Sequence, residues 1–532
     1  MHFPLAVVAL FWAGVSYIIY QVVTGYLIAR HNAARARELK CEAPPAQKNR
    51  WPFGIDQIVR AIKADKAQRF PVDFIKRAED VGAITYSWNL FGSENFQTAD
   101  EKNIQAILAT QFDDFDLGPF RRGLFWPLLG NGIFTQDGAG WEHSRTMMRP
   151  QFVREQVSDL GLEEIHVQNM MRALDLHLGS DKWTDCVDLQ ELFFRLTLDS
   201  ATEFLFGESV DSQIQLIPGS KVKKDKDGLQ SFDFASAFDK GQMAIATRAR
   251  FGNLYWLVNP KGFKEACKAC HDFIDHFVRL ALSQDLREKE LEKGGKDKYV
   301  FLEALAAETQ DPIELRSQLL HILLAGRDTT ASLLGWLFLC LSKDSTRYQK
   351  LRNICLEEFG TYDKPKAITF SKLKSCQYLQ HCNNEALRLY PVVPINGRFA
   401  NKDTTLPRGG GKDGQSKIFV PAGSSVDYSV HVLHHRKDIW GPDAEDFRPE
   451  RWENRKVGWE FVPFNGGPRI CIGQQFALTE ASYVTVRLLQ RFDKMESMET
   501  DPIVRHNLTL TNCSGNGVKV RAHAVRSGSW DY

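Results

Sequence analysis

The chain has 532 residues, 43% of them hydrophobic and 25% charged, enough for a large buried core. Length alone suggests several domains, and a formal net charge of +1 gives no bulk pull toward nucleic acid. The ten cysteines lack the paired rhythm of small secreted frameworks, so thiols in a reducing compartment are expected.

Residues 1–29 hold no Asp, Glu, Lys or Arg, and 5–28 is almost wholly apolar. At ~1.5 Å per residue that run reaches ~36 Å, enough to cross ~30 Å of hydrocarbon with some tilt. A cleaved signal peptide would want a positive start and a shorter apolar stretch. Here the positive charge follows, in Arg30, Arg35, Arg37 and Lys40 against Glu38 alone. The expectation is a retained anchor over 1–29 with the rest of the chain cytosolic. A basic, proline-bearing hinge follows over 30–55. Its "CEAPPAQKNRWPFG" favours extended backbone and reads as a stiff spacer. Two sequons, at Asn507 and Asn512, would then face the cytosol and stay unglycosylated.

Residues 56–532 read as one body, mainly helical with a small β part. Long amphipathic stretches run over 152–179, 187–206, 261–291 and 313–342, and strand-like, turn-rich sequence gathers at 397–430. Cys267 and Cys270 form a lone CxxC, better read as one side of an amphipathic helix than as a metal or redox pair. Two charged inserts, at 219–228 and 286–298, read as solvated loops or helix ends. "RGGGKDG" at 408–414 lacks the ending of a phosphate loop and reads as a wide hairpin.

Four stretches carry chemistry-bearing residues. In "GWEHSRTMMRP" (140–150), Trp141 and Arg145 lie one helical turn apart; alone, that is an amphipathic helix with an aromatic on its core side. "LLAGRDTTASLL" (323–334) reads as an apolar helix, but Gly326 costs ~1 kcal/mol relative to Ala, and Asp328 and Thr329 set an acid beside an alcohol. Glu385 and Arg388 share a helical face, a pair that alone says little. "FNGGPRICIG" (464–473) places Cys471 among three glycines, a proline and an arginine. A structural disulfide does not suit a reducing compartment, and no ligand spacing suggests zinc. A nucleophilic thiol with a His partner and a haem ligand both stay open at this point. The run after Gly473 reads as a helix whose N-terminus would face the sulfur and favour its thiolate.

The pattern Phe464-x-x-Gly467-x-Arg469-x-Cys471-x-Gly473 resembles the haem-binding loop of the cytochrome P450 haem-thiolate monooxygenases. Five fixed positions, each matched about one time in twenty, predict on the order of 10⁻⁴ accidental matches. The resemblance implies the P450 fold over 56–532 and haem b, with Cys471 as the axial ligand of its iron. It implies that Phe464 shields the thiolate and that Arg469 pairs with a propionate. The glycines would let backbone approach the flat ring. Ala325 to Thr330 matches the family's oxygen-activation motif, so Asp328 relays protons and Thr329 holds bound oxygen and a water. "EALR", with "FRPERW" (447–452) downstream, implies a buried network of Glu385, Arg388 and Arg451. Trp141, Arg145 and Arg398 are expected against the propionates.

A narrower resemblance is carried by "QFDDFDLGPF", "GIFTQDGAGWEHSR", "RPQFVREQV" and "LDSATEFLFGESV". These are similar to the fungal and yeast n-alkane and fatty-acid terminal hydroxylases. That implies a single-pass enzyme of the endoplasmic-reticulum membrane, taking NADPH electrons from a cytochrome P450 reductase and hydroxylating an apolar chain at its end. Segments 120–130 and 206–250 are channel candidates by family position. Ala325 stands where many animal fatty-acid hydroxylases carry a Glu that esterifies the haem, so dissociable haem is expected. One rival is a tailoring oxidase acting on a lipid-like polyketide or terpenoid. A hydroperoxide isomerase or dehydratase is opposed by the intact "AGRDTT". A non-catalytic haem-binding protein leaves the Asp-Thr pair unexplained.

Overall fold

The computed structural model describes residues 5–152, 160–219, 231–283 and 300–525. Apart from Gly219, the charged inserts at 219–228 and 286–298 lie outside those residues, as does part of the 206–250 channel segment.

Helix α1 (Leu5–Glu38) continues through the boundary expected at 29. Ala33, Ala34 and Ala36 favour helix, and Arg35 and Arg37 in the last turn complement its dipole. The proline stretch that follows is extended and pinned to the body. Glu42 donates its N–H to Lys417 O (2.8 Å), and Ser87 donates to Pro45 O (2.9 Å).

The helices that build the site are α2 (Gly118–Leu129), α3 (Gly138–Met148), α4 (Leu160–Asp175), α5 (Leu189–Phe206), α6 (Ser231–Ala249), α7 (Phe263–Leu282), α8 (Pro312–Lys343), α9 (Ser345–Phe359), α10 (Gln377–Leu389) and α11 (Gln474–Arg491). The strand content is small, as expected. A mixed sheet runs β1 (Thr85–Leu90), β2 (Ser93–Thr98), β8 (Ser425–Ser429), β5 (Ile395–Ala400), β3 (Phe115–Asp116), with only β2 and β8 parallel. A second sheet joins β4 (Val187–Asp188), β12 (Lys519–Ala524) and β9 (Phe492–Ser497). The 408–414 stretch is the wide hairpin between β6 (Thr404–Gly410) and β7 (Ser416–Val420). A short hairpin pairs β10 (His506–Leu508) with β11 (Asn512–Ser514). Asn512 there is fully buried and donates to Pro391 O, so this sequon offers no accessible amide.

Helix α8 is the axle of the fold. Asp311 caps it through Ile313 N–H (2.9 Å), Pro312 fixes the first turn, and Lys343 sits in the last. Its first half packs with α2, α5, α6 and α7, and its second half with α4, α5, α9, α10 and α11. Long and apolar enough to cross a membrane, it is instead a core helix, with 83% of its most apolar window buried. Each fully buried Leu along it contributes ~1.5–3 kcal/mol of transfer free energy. Cys267 and Cys270 lie on the buried face of α7, where burial pushes the Cys267 thiol up to about 11.

Candidate active site

The loop carrying Cys471 is shaped by close approach. Gly467 has φ +65°, and a Cβ there would lie 1.8 Å from Leu108 O. At Gly466 a Cβ would meet the Trp459 ring at 2.5 Å. Asn465, also left-handed at φ 59°, is held by Tyr428 Oη (2.8 Å). Cys471 N–H donates to Phe464 O (3.0 Å), closing the loop, and Phe464 packs on the apolar core. Helix α11 starts at once. It has Gly473 as its cap residue, no side-chain cap and no acid in its first turn. The group facing its N-terminus is the Cys471 sulfur, which accepts from Gly473 N–H. Surrounding protein pushes the Cys471 thiol up by desolvation, while Gly473 N–H and Arg145 pull it down. The residue is nonetheless exposed, so the thiol is enclosed by protein mass and open on one side.

Trp141 is buried, with the Arg469 guanidinium 4.4 Å from its ring centre. Arg469 donates to Asp137 Oδ1 (2.8 Å) and Gln136 O (3.1 Å), tying the cysteine loop to the start of α3. Arg145 lies on the cysteine side. It donates to Ile470 O (3.1 Å), with its guanidinium 5.8 Å from the Trp141 ring centre. Arg398, buried on β5, donates to Gly397 O (2.8 Å) and Asn396 Oδ1 (3.3 Å). Arg121 of α2, which no sequence motif marked, reaches the same Asn396 oxygen at 2.5 Å. Burial and the repulsion of Arg398 hold the Arg121 guanidinium at about 10. Arg469 is likewise lowered to about 10 by burial, with Arg398 and Arg121 as its repelling neighbours. Arg398 Nε and Arg469 Nε are buried with no hydrogen-bond partner among the described residues.

In α8, Ala325, Gly326 and Thr329 are half-buried while Arg327, Asp328 and Thr330 are buried. The 325, 326, 329 spacing is one helical face. A Cβ on Gly326 would meet nothing within 4 Å, so this face is open. Thr329 Oγ1 donates back to Ala325 O (2.6 Å). Ile472, beside the cysteine, packs against the same apolar cluster as Leu319 and Leu323 of α8. Asp328 is buried, and the Gln242 side chain is a weak donor to it, too poorly aligned to satisfy either carboxylate oxygen fully. Arg327 Nη1 lies 3.3 Å from its Oδ1. Burial pushes Asp328 up to about 6, against the pull of Arg327.

Glu385 and Arg388 have no exposure at all and form a two-bonded pair at 2.9 Å. Arg451 Nε donates to Glu385 Oε1 (2.7 Å), and Trp452 Nε1 to Oε2 (3.0 Å). Trp452 escaped the sequence reading although it closes "FRPERW". So did Glu480 of α11, fully buried and pushed up to about 7 by desolvation, which accepts from Ser200 Oγ (2.7 Å).

The family profile described as Cytochrome P450 matches residues 46–517. This chain belongs to the cytochrome P450 family. It is 64% identical over 516 residues to cytochrome P450 monooxygenase g430 of Fusarium sp, covering 97% of this chain and 90% of that one. It is 45% identical over 529 residues to cytochrome P450 monooxygenase alt2 of Alternaria solani, covering 96% and 97%. With cytochrome P450 52A5 of Candida maltosa it shares 50% identity over 445 residues, 82% of each chain.

A P450 carries haem on a thiolate, and the donor set of this chain fits one. Cys471 is a thiol at a helix N-terminus, open on one side. Three crowded guanidiniums, two with orphan Nε atoms, suit the two carboxylates of a haem edge. The small-residue face of α8 leaves room for a flat ring.

Proposed function

We propose that this P450 hydroxylates the end of an aliphatic chain, an n-alkane or a fatty acid. The balance is RH + O2 + NADPH + H⁺ → ROH + H2O + NADP⁺, with electrons delivered by an NADPH–cytochrome P450 reductase. The observation that carries the alkyl reading is the likeness along most of the chain to the 52A-named yeast P450s, 45% identical over 509 residues for 52A13 of Debaryomyces hansenii. Helix α1 supports membrane anchoring at the endoplasmic reticulum with the body in the cytosol.

Haem ligated by Cys471 supplies oxygen activation and C–H oxidation when bound. The protein's own residues do the rest. Gly473 N–H and the N-terminus of α11 favour the thiolate. Arg121, Arg398 and Arg469 hold the propionates, and Trp141 backs Arg469. Arg145, bound to Ile470 O, steadies the cysteine loop and adds positive charge toward a reductase. Asp328 carries protons, and Thr329, already donating within its helix, turns to hold a water. Glu385 is structural, holding Arg388 and Arg451 together. Ala325 has no carboxylate to esterify the ring, so acid–acetone should extract the haem; haem retained on the protein contradicts that.

Incubation with dodecanoate and hexadecane in the presence of NADPH and reductase tests the reading. An ω-hydroxylated product is expected from at least one. A second reading, a tailoring oxidase acting on a lipid-like polyketide or terpenoid, is favoured by the 64% likeness to a chain outside the 52A-named set. No ω-product from either substrate would turn the choice to it.

A further inference from the structure

Three thiols meet where α9 packs against the start of α10, and none of them belongs to the haem site. Cys355 of α9 and Cys382 of α10 have no exposure, and Cys376, just before α10, keeps 6%. Cys376 stands at a junction. Its N–H closes the short helix Phe370–Ser375 on Lys372 O (3.0 Å). It is also the N-cap residue of α10, where Leu379 N–H is a weak donor to its sulfur, short of a full cap bond. Cys355 reaches the same sulfur from α9 and acts as its S–H donor. Lys374, Ser375 and Gln377 beside it are exposed, so the Cys376 sulfur lies just beneath the surface.

This arrangement makes the two thiols unequal. The Cys355 S–H, helped by Leu379 N–H, pulls the Cys376 thiol below its ordinary value, against desolvation and the charge of Glu358. That same bond and burial push Cys355 well above it. Every other thiol moved from its ordinary value is raised, Cys382 included.

We propose that Cys355 and Cys376 form a redox modification site, a dithiol that hydrogen peroxide closes to a disulfide, with Cys376 reacting first and Cys355 resolving it. The oxidant is the by-product of oxygen reduction that fails to reach substrate. The Cys376 thiolate takes one oxygen of the peroxide and becomes a sulfenic acid. The hydroxide released takes up the proton Cys376 has shed and leaves as water. The Cys355 sulfur then attacks the Cys376 sulfur, and its own proton leaves with the displaced hydroxyl as a second water. The sum is 2 RSH + H2O2 → RSSR + 2 H2O, with two electrons passing from the sulfurs to the peroxide. The new bond ties α9 to the first turn of α10, the helix whose far end carries Glu385 and Arg388. A dithiol reductant reopens it by exchange, so the pair rests reduced in a reducing compartment.

The test is a peptide map. Full-length haem-loaded enzyme is treated with hydrogen peroxide at a level that leaves its haem absorbance unchanged, then alkylated, digested without reductant and read by mass spectrometry. A peptide pair joined through Cys355 and Cys376, lighter by two hydrogens than the reduced peptides, is expected, and dithiothreitol should remove it. Both thiols still alkylated after peroxide, or Cys376 joined to Cys382 instead, would overturn the proposal. Dimedone, which traps sulfenic acid, should label Cys376 several-fold more in Cys355→Ser than in wild type, because nothing resolves it there. Equal labelling in the two would overturn Cys376 as the sulfur that reacts first. If Cys355→Ser does not fold, the wild-type map alone decides. No substrate takes part, so failure here leaves the alkyl reading untouched.

Discussion

Two buried charge clusters in this molecule are built on opposite principles. Around Glu385 the carboxylate accepts from Arg388, Arg451, Trp452 and the backbone N–H of Arg448. The spare guanidinium hydrogens reach carbonyls of His434, Ala444, Trp440 and Asp443. A carboxylate has about four lone-pair sites, and these are filled. Around Asp328 the reverse holds: an acid is buried, poorly paired, and its pKa is pushed up to about 6. A satisfied network fixes shape. A poorly paired acid raised toward neutral pH can change its proton. The difference separates a carboxylate that holds the fold from the one proposed to carry protons, although both are buried in helices.

The sharpest way to break this contrast is Glu385→Gln. Removing one charge from between two buried guanidiniums should cost about 3–5 kcal/mol. Thermal unfolding should fall steeply and the yield of haem-loaded protein with it. Asp328→Asn should do the opposite at neutral pH. The folded-state value near 6 exceeds the ordinary carboxyl value of about 3.9. Between those values the folded protein keeps a proton that the unfolded chain loses, so stability falls as pH rises through the window. Above pH ~6 the full cost of on the order of 3 kcal/mol is present, and Asn relieves it. Unfolding measured at pH 7.5 and at pH 4 should therefore show stabilisation that shrinks with acid. A loss at both pH values would put Asp328 in the same class as Glu385.

Smaller effects sharpen the picture. Trp452→Phe removes one hydrogen bond to Glu385, about 1–3 kcal/mol when it leaves a buried carboxylate oxygen short of a donor, and should leave coupling unchanged. Thr329→Ala loses only a bond to its own helix, within about 1 kcal/mol. That change should nonetheless divert NADPH from product to hydrogen peroxide, read as peroxide released per NADPH consumed. Full coupling in Thr329→Ala would tell against the open face of α8 as the oxygen side.

What the sequence showed depended on how local each feature is. Cys471 was legible because the glycines and Arg469 that shape its loop lie within ten residues of it. The acid–alcohol pair and Glu385–Arg388 were legible for the same reason, as helix neighbours. Arg121 was not, because its partner Asn396 is far along the chain and only the sheet brings them together. Trp452 likewise bonds across elements. The boundary at 29 fell inside α1 because apolar content marks where a helix suits a membrane, while alanines and arginines continue the same helix. Arg145, marked in the sequence beside Trp141, has a bond to Ile470 O that no sequence pattern showed, because the two lie far apart along the chain.

The most direct test of the account is the carbon-monoxide difference spectrum of the reduced protein, taken with Cys471→Ser and Cys471→His beside wild type. Wild type should show the red-shifted Soret band of thiolate-ligated haem, and both variants should lose it. A wild-type band at the position of histidine-ligated haem, or one that survives loss of the Cys471 sulfur, would contradict the assignment of Cys471 and the mechanism built on it.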